Sequence, residues 1–94
     1  MPKPERFETL FRSKRVKVER ITSHGHVTPK GKWLRGRKDE WVILLKGRAR
    51  LRFKAANRLV SLKTGEHLFI PQGAAHRVEW TLSRKNTVWL AIHL

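Results

Sequence analysis

Histidine and glutamate are the residue types in this chain that are best suited to chemistry. The chain has five histidines and no cysteine, so thiolate metal sites, disulfide bonds and cysteine nucleophiles are excluded. Imidazole and carboxylate groups can hold a divalent metal or transfer protons when a fold brings them together. His24 and His26 would share one face of an extended segment, and Glu40 and His76 are two further candidates. The sequence contains no Ser-His-Asp order, glycine-rich phosphate loop or zinc-deaminase pattern.

His76 ends a segment in which glycine and proline predict a strand, a corner and a second strand. The segment begins at Gly65 and has the form G-x5-P-x-G-x2-H. Gly65 suits the turn before a buried strand over 66–70, and Pro71 with Gly73 suits a corner. The next strand then starts at His76, and alternation along it predicts that the imidazole points into the interior.

Short extended segments with turn signals between them make up most of the chain. Alternation begins near Arg15, and later strands are predicted over 40–46, 48–54, 58–62, 66–71, 75–82 and 87–94. Because no helical stretch between them is long enough for a parallel crossover, the pattern favours an antiparallel all-β domain. We therefore predict one domain over 1–94, with a β-barrel over 15–94.

The N-terminal segment is predicted to be helical. Pro4 suits the first helical position, and Phe7, Leu10 and Phe11 have the spacing of one helical face. We expect this short helical segment to lie within 1–14 and to pack onto the domain as a lid or edge cover.

Two of the predicted strands indicate which residues lie inside. The strand over 41–45 is apolar on both faces, so its outer face needs cover from the N-terminal segment or from a second subunit. In the strand over 48–54, Ala49, Leu51 and Phe53 share one face and basic residues share the other. The four tryptophans are expected mostly in the core.

These segments resemble the sequence motifs of the cupin superfamily. The segment from Gly65 to His76 resembles the second cupin motif, and Glu40 with Gly47 fits the second part of the first motif. The stretches 40–47 and 88–93 look like those of a group of small single-domain cupins. The resemblance implies a cupin-type antiparallel β-barrel, or jelly roll.

The resemblance also bears on metal binding, because cupin metal sites normally use three histidines and one glutamate. Residue-by-residue correspondence retains Glu40 and His76 only. The other two positions fall at Leu34 and Gly36, or, with a longer spacing, at Trp33 and Arg35. None of these side chains coordinates a metal as imidazole does. We expect no complete metal site and no cofactor, with Glu40 and His76 as the residual candidates for a divalent metal.

The pocket expected inside the barrel would bind its ligand through Glu40, His76, Arg35, Trp33 and His26. We favour binding of a small anionic molecule as the function. One alternative is a metal-dependent cupin enzyme of the isomerase, oxygenase or decarboxylase type. The resemblance also allows a metal-free enzyme with His76 as its acid–base group, so whether the protein is an enzyme stays open.

Lysine and arginine outnumber the acidic residues 22 to 7, which gives a net charge of +15. The runs 30–38 and 46–58 are rich in basic residues and contain no acidic residue. Because such a field attracts polyanions at low salt, a second alternative is a nucleic-acid-binding β-barrel. A solvated basic face with nonspecific attraction for nucleic acid is the simpler interpretation.

Size and hydropathy suggest the setting in which the chain acts. No apolar stretch is long enough to span a bilayer, and none resembles a signal peptide, so we expect a cytoplasmic protein without membrane attachment. A domain of 94 residues can bury only a modest core. We therefore expect a homodimer, which would cover more apolar surface.

Overall fold

β-strands are the main regular secondary structure of the protein. The structure, a computed structural model, describes residues 3–82 and 85–94. The strands are β1 (Arg6–Arg12), β2 (Lys17–Ser23), β3 (Glu40–Lys46), β4 (Arg48–Phe53), β5 (Arg58–Lys63), β6 (His67–Ile70), β7 (His76–Thr81) and β8 (Thr87–His93). A 3-10 turn, Ala55–Asn57, joins β4 to β5. The six later strands predicted from the sequence correspond to β3 through β8. Residues 3–82 and 85–94 form no helix with the length and hydropathy of a membrane span.

The strands form two sheets. The larger has the order β1-β2-β8-β3-β6 and the smaller has the order β5-β4-β7. Every strand pairing in the described residues is antiparallel. The all-β antiparallel prediction is therefore confirmed, and the arrangement is consistent with a jelly roll. Within residues 3–82 and 85–94, however, no strand pairing joins the sheets into the predicted closed barrel.

The N-terminal segment forms a strand, so the predicted N-terminal helix is wrong. β1 pairs with β2, which places Phe7 opposite Ile21 and Phe11 opposite Val18. A register shift between Thr9 and Phe11 turns the two phenylalanines to opposite faces of the sheet. The bulge also explains the error, because it interrupts the alternation of apolar residues and leaves a spacing that matches a helical face.

The core lies between the two sheets and is supplied by alternate residues of their strands. In β3, Val42 is 6% exposed and Leu44 is fully buried. In β4, Ala49, Leu51 and Phe53 are all buried, as the alternation predicts. Each of these residues contributes to one continuous apolar cluster that includes both sheets.

The outer face of β3 stays exposed. Trp41 and Leu45 keep 39% and 46% of their surface accessible. The N-terminal strand β1 stands at the far edge of the larger sheet, with β2 and β8 between it and β3. It therefore does not provide the cover that the apolar outer face was predicted to need.

The tryptophans are less buried than the sequence predicts. Trp89 belongs to the core, but Trp41 and Trp80 are each more than one third exposed. The cause at Trp80 is a register shift in β7, because Val78 lies opposite Leu51 and Trp80 lies opposite Arg50. This shift turns Trp80 outward although Val78 and His76 face the interior.

Gly47 occupies the tight turn at which the chain passes from β3 in one sheet to β4 in the other. Its φ of +91° lies in the left-handed region, which glycine adopts without a steric penalty. A Cβ at this position would lie 2.8 Å from Thr87 Oγ1 and 3.1 Å from Thr87 Cα. The turn therefore requires glycine both for its conformation and for its close contact with β8.

Candidate ligand-binding cavity

A cavity of about 320 Å³ lies between the two sheets, beside the core. Much of its lining is apolar and comes from both sheets, including Val42, Leu51 and Trp89. Its polar lining residues are Glu5, Ser23, His26, Thr28, Glu40 and His76. A mostly apolar cavity with a few convergent polar groups is typical of a small-molecule site.

His76 is held at the start of β7 by contacts on both its ring and its backbone. The side chain is 5% exposed, and its Nδ1 lies 2.9 Å from the Ala74 carbonyl oxygen. Because a carbonyl oxygen only accepts, Nδ1 must donate, and the neutral ring then carries its lone pair on Nε2. The backbones of His76 and Leu34 exchange two hydrogen bonds of 2.7 and 3.0 Å. His76 is thus a fixed side chain of the cavity lining.

His26 reaches the same cavity with the opposite arrangement of its proton. Its Nδ1 accepts a 2.8 Å hydrogen bond from the backbone N–H of His24. The neutral ring must therefore carry its proton on Nε2, where it can donate to a ligand. Thr81 Oγ1 donates to the His26 carbonyl at 2.9 Å and ties this segment to β7.

Glu40 lines the cavity from the first position of β3 and belongs to a row of three titratable side chains. His93 of β8 lies opposite it, with Nε2 3.8 Å from Glu40 Oε2 and 3.1 Å from Glu19 Oε1. Lys17 Nζ lies 3.5 Å from the other Glu19 oxygen. Sequence reasoning missed this row because Glu19, His93 and Glu40 are distant in the chain and meet only through the β2-β8-β3 pairing.

Glu5 is a second carboxylate at the cavity that sequence reasoning did not identify. It immediately precedes β1, and one of its carboxylate oxygens accepts a hydrogen bond from Ser23 Oγ. Ser23 is 1% exposed at the end of β2. Glu5 was missed because this segment was predicted to be helical. In a strand, Glu5 lies on the same face as Phe7, which also lines the cavity.

Trp33 and Arg35, which the sequence assigned to the ligand site, do not line this cavity. Arg35 is exposed and donates a 3.3 Å hydrogen bond from Nη1 to the Gly73 carbonyl. The Trp33 ring lies against Lys54, whose Nζ is 5.9 Å from the ring centroid. The structure therefore brings together His26, Glu40 and His76 and leaves the other two predicted residues outside the lining.

The donor set does not fit the metal site that the cupin motifs imply. Among the described residues, no group of three or more histidine, cysteine, aspartate or glutamate side chains is arranged to hold a metal ion. Leu34, one position expected to hold a metal-binding histidine, pairs directly with His76. The carbonyl of Gly36, the other position, accepts the Gly73 N–H at 3.0 Å. The segments that would carry the ligands thus meet, but with side chains that cannot coordinate.

Among residues 3–82 and 85–94, no lysine or arginine lines the cavity, although basic residues are close by in sequence. Lys30 and Lys32 are exposed in the segment that supplies Thr28 and Pro29 to the lining. Arg77 of β7 fixes that segment by donating to the carbonyls of Thr28 and Pro29 at 2.9 and 3.4 Å. The positive charge of this region therefore lies outside the cavity, and the carboxylates lie inside it.

Comparison with known proteins identifies relatives among solved structures. No protein-family model and no curated protein matches the chain. A protein of Ralstonia eutropha JMP134, described as a proposed mannose-6-phosphate isomerase, is 37% identical, with a TM-score of 0.91 over 96% of this chain and 83% of that one.

Two structures with lower identity share the same fold. A cupin superfamily protein of Desulfitobacterium hafniense DCB-2 is 18% identical, with a TM-score of 0.81 over 100% of this chain and 80% of that one. A cupin-2 domain-containing protein of Shewanella frigidimarina NCIMB 400 is 17% identical, with a TM-score of 0.72 over 94% of this chain and 78% of that one. From its fold, its motifs and these relatives, we conclude that the chain belongs to the cupin superfamily.

Proposed function

We propose that this cupin binds a small hydroxylated molecule bearing an anionic group, such as a sugar phosphate. The observation that carries the proposal is the cavity between the sheets, which Glu40 lines together with His26 and His76, each of them positioned by a hydrogen bond. A volume of about 320 Å³ lies at the lower end of the range for small-molecule sites.

The polar groups of the lining favour a ligand whose hydroxyl groups lie inside the cavity and whose anionic group lies at its outside. The carboxylates of Glu5 and Glu40 and the Nε2 of His76 can accept hydrogen bonds from hydroxyl groups, and His26 can donate one. An anionic group would be repelled by the two carboxylates but attracted to the exposed lysines of the adjoining segment. The activity proposed for the Ralstonia eutropha relative, mannose-6-phosphate isomerase, agrees with this ligand class.

Ligand-induced stabilisation tests the proposal. Melting temperatures would be compared for hexose phosphates, the parent hexoses and inorganic phosphate, each in large excess. We expect the hexose phosphates to stabilise the protein more than either part alone. If no compound of this class raises the melting temperature, the proposed ligand class is wrong.

A matched pair of variants locates the binding site. Glu40→Gln removes a carboxylate from the cavity and should weaken ligand binding by about tenfold or more, since hydrogen bonds to charged groups are the stronger ones. Glu66→Gln makes the same change in charge at an exposed turn, where the amide oxygen can still accept the Lys63 N–H. Equal affinities of the two variants, measured by calorimetry, would place the ligand elsewhere.

A second candidate function is metal-free proton transfer on the bound ligand. The opposite proton arrangements of His26 and His76 supply an acid and a base to one cavity. Interconversion of an aldose and a ketose requires such groups, because one proton moves from C2 to C1 and another moves from the C2 hydroxyl to the C1 oxygen. Mannose 6-phosphate would be incubated with chelator-treated protein in heavy water and followed by NMR. Deuterium uptake that is lost in His76→Asn but kept in His67→Asn, a change at an exposed histidine, would support it; the absence of both deuterium uptake and ketose formation would exclude it.

We also propose that the chain forms a homodimer through the outer face of the larger sheet. Trp41, Ile43, Phe69, Leu90 and Ile92 lie together on this face by strand register. Trp41 and Phe69 are 39% and 49% exposed, so a second copy would bury a substantial apolar surface.

Sedimentation analysis tests the dimer. Phe69→Glu should produce a monomer, because it would place a charge inside the apolar interface. Leu59→Glu is the matched control, since Leu59 is 44% exposed on the smaller sheet. A wild-type monomer at high protein concentration would contradict the proposal.

A further inference from the structure

The outer face of the smaller sheet concentrates positive charge on its solvent side. Alternation along β4 leaves Arg48, Arg50 and Arg52 on this face, with successive arginines about 7 Å apart. Strand register places Lys63 of β5 opposite Arg48 and Trp80 of β7 opposite Arg50. We call these five residues the basic face.

Most of this charge is not neutralised by neighbouring carboxylates. Glu79 lies on this face, but Arg52 donates hydrogen bonds to both of its oxygens, and this contact lowers the pKa of Glu79. Arg48, Arg50 and Lys63 take part in none of the ion pairs formed by the described residues. The basic face therefore presents unpaired cations in a row, beside one internally satisfied ion pair.

Trp80 adds an aromatic ring to this row of cations. It is 37% exposed, and the Arg50 guanidinium lies 5.1 Å from its ring centroid. Indole rings and guanidinium planes both stack on nucleic-acid bases. A surface that served only to keep the protein soluble would have no need of an exposed indole beside its arginine row.

We propose that the basic face binds single-stranded nucleic acid, with phosphates along β4 and a base stacked on Trp80. A duplex is the poorer partner, because its bases are stacked internally and its major groove admits a helix or a two-stranded ribbon, not a three-stranded sheet. An anionic bilayer would require several apolar side chains around Trp80, whereas its partner on the face is an arginine. The cavity lies on the other side of this sheet, so the proposal does not depend on the ligand proposed above.

Salt-dependent binding of a labelled oligothymidine tests the electrostatic part. Anisotropy would be measured with the full chain and an oligonucleotide of about 16 nucleotides. Over ionic strengths from about 0.05 to 0.2 M, the logarithm of the association constant should fall by about 0.7 per contacted phosphate for each tenfold rise in salt. A double variant with Arg48→Gln and Arg50→Gln loses two phosphate contacts and should reduce that slope by about 1.4. The pair Arg12→Gln and Lys14→Gln makes the same change in charge on the β1–β2 hairpin and should leave the slope unchanged.

A substitution that keeps the charge tests the stacking part. Trp80→Leu should weaken oligothymidine binding at least about fivefold, because stacking on an aromatic side chain is lost. It should leave binding of inorganic polyphosphate unchanged, since polyphosphate has charge but no bases. An unchanged melting temperature would show that both Trp80→Leu and the arginine variants remain folded.

Several results would overturn the proposal. Equal effects of Trp80→Leu on oligothymidine and polyphosphate would reduce the face to a general anion attractor. If the salt dependence of binding is the same in the Arg48→Gln/Arg50→Gln variant and in the Arg12→Gln/Lys14→Gln variant, the basic face is not the binding site. Tighter binding to a duplex of the same length or to phosphatidylserine vesicles would identify a different partner. Loss of all binding at about 0.15 M ionic strength would leave only a nonspecific attraction.

Discussion

Removing the imidazole of His93 should destabilise the protein through the two carboxylates that the imidazole separates. Glu19 and Glu40 have side chains that are only 12% and 19% exposed, and both face His93 Nε2. Leaving a buried polar group without its hydrogen-bond partner costs about 1–3 kcal/mol, and the loss is smaller where the group stays partly exposed. Because His93 is 27% exposed and Lys17 still contacts Glu19, we expect His93→Leu to cost about 2 kcal/mol.

Urea unfolding at a fixed protomer concentration measures this cost. If the free energy of unfolding falls by about 1–2 kcal/mol per molar urea, the urea concentration at the unfolding midpoint should fall by about 1–2 M. His93→Gln keeps a hydrogen-bond donor and should recover much of the loss. The double variant His93→Leu with Glu19→Gln should be more stable than the sum of its single variants predicts, because each single change already disrupts the same His93–Glu19 contact. If the two effects add within about 0.3–0.5 kcal/mol, the histidine and Glu19 do not interact and the reasoning fails.

Three further predictions follow from the core, the surface and the lost metal positions. Leu44→Ala should lower the free energy of unfolding by about 3–5 kcal/mol in urea titrations, because Leu44 is fully buried; a loss below about 1 kcal/mol would contradict the packing. Arg52 holds the pKa of Glu79 below its usual value, so their pairing stabilises the fold above the pKa of the unfolded state and is lost as pH falls through the folded pKa. Arg52→Gln should therefore weaken the acid dependence of the urea midpoint, and an unchanged dependence would refute this. Leu34→His with Gly36→His should create a divalent metal site beside His76, measurable as retained zinc after desalting; a variant that stays metal-free would show that these positions do not face Glu40.

Turn chemistry made much of the β architecture predictable. The Gly65 to His76 segment, with its glycine–proline corner, places β6 and β7 where the sequence predicts them. The strict alternation over 48–53 likewise predicts both the buried and the basic faces of β4. Both signals are local, since they depend on the backbone preferences of a few residues and on the period of a strand.

Two β-bulges account for the main structural errors. In β1 the bulge near Thr9 makes a strand resemble a helix, and in β7 the register shift turns Trp80 to solvent. A bulge forms where one strand must adjust to the length and twist of its partner, so its position depends on pairing across the sheet. Nothing in the local spacing around Phe7 or Trp80 indicates it.

Some features of the candidate site can likewise be predicted from the sequence, and others depend on the tertiary structure. The residue types alone determine that the chain retains two of the cupin metal ligands, Glu40 and His76. They also determine that Leu34 and Gly36 cannot replace the missing histidines. Only the tertiary structure decides that Glu5 joins the cavity, that Glu40 faces His93, and that Trp33 and Arg35 lie outside the lining. Those contacts join residues far apart in the chain, and the order in which strands pair brings them together. The spacing of residues along the chain does not indicate the order in which the strands pair.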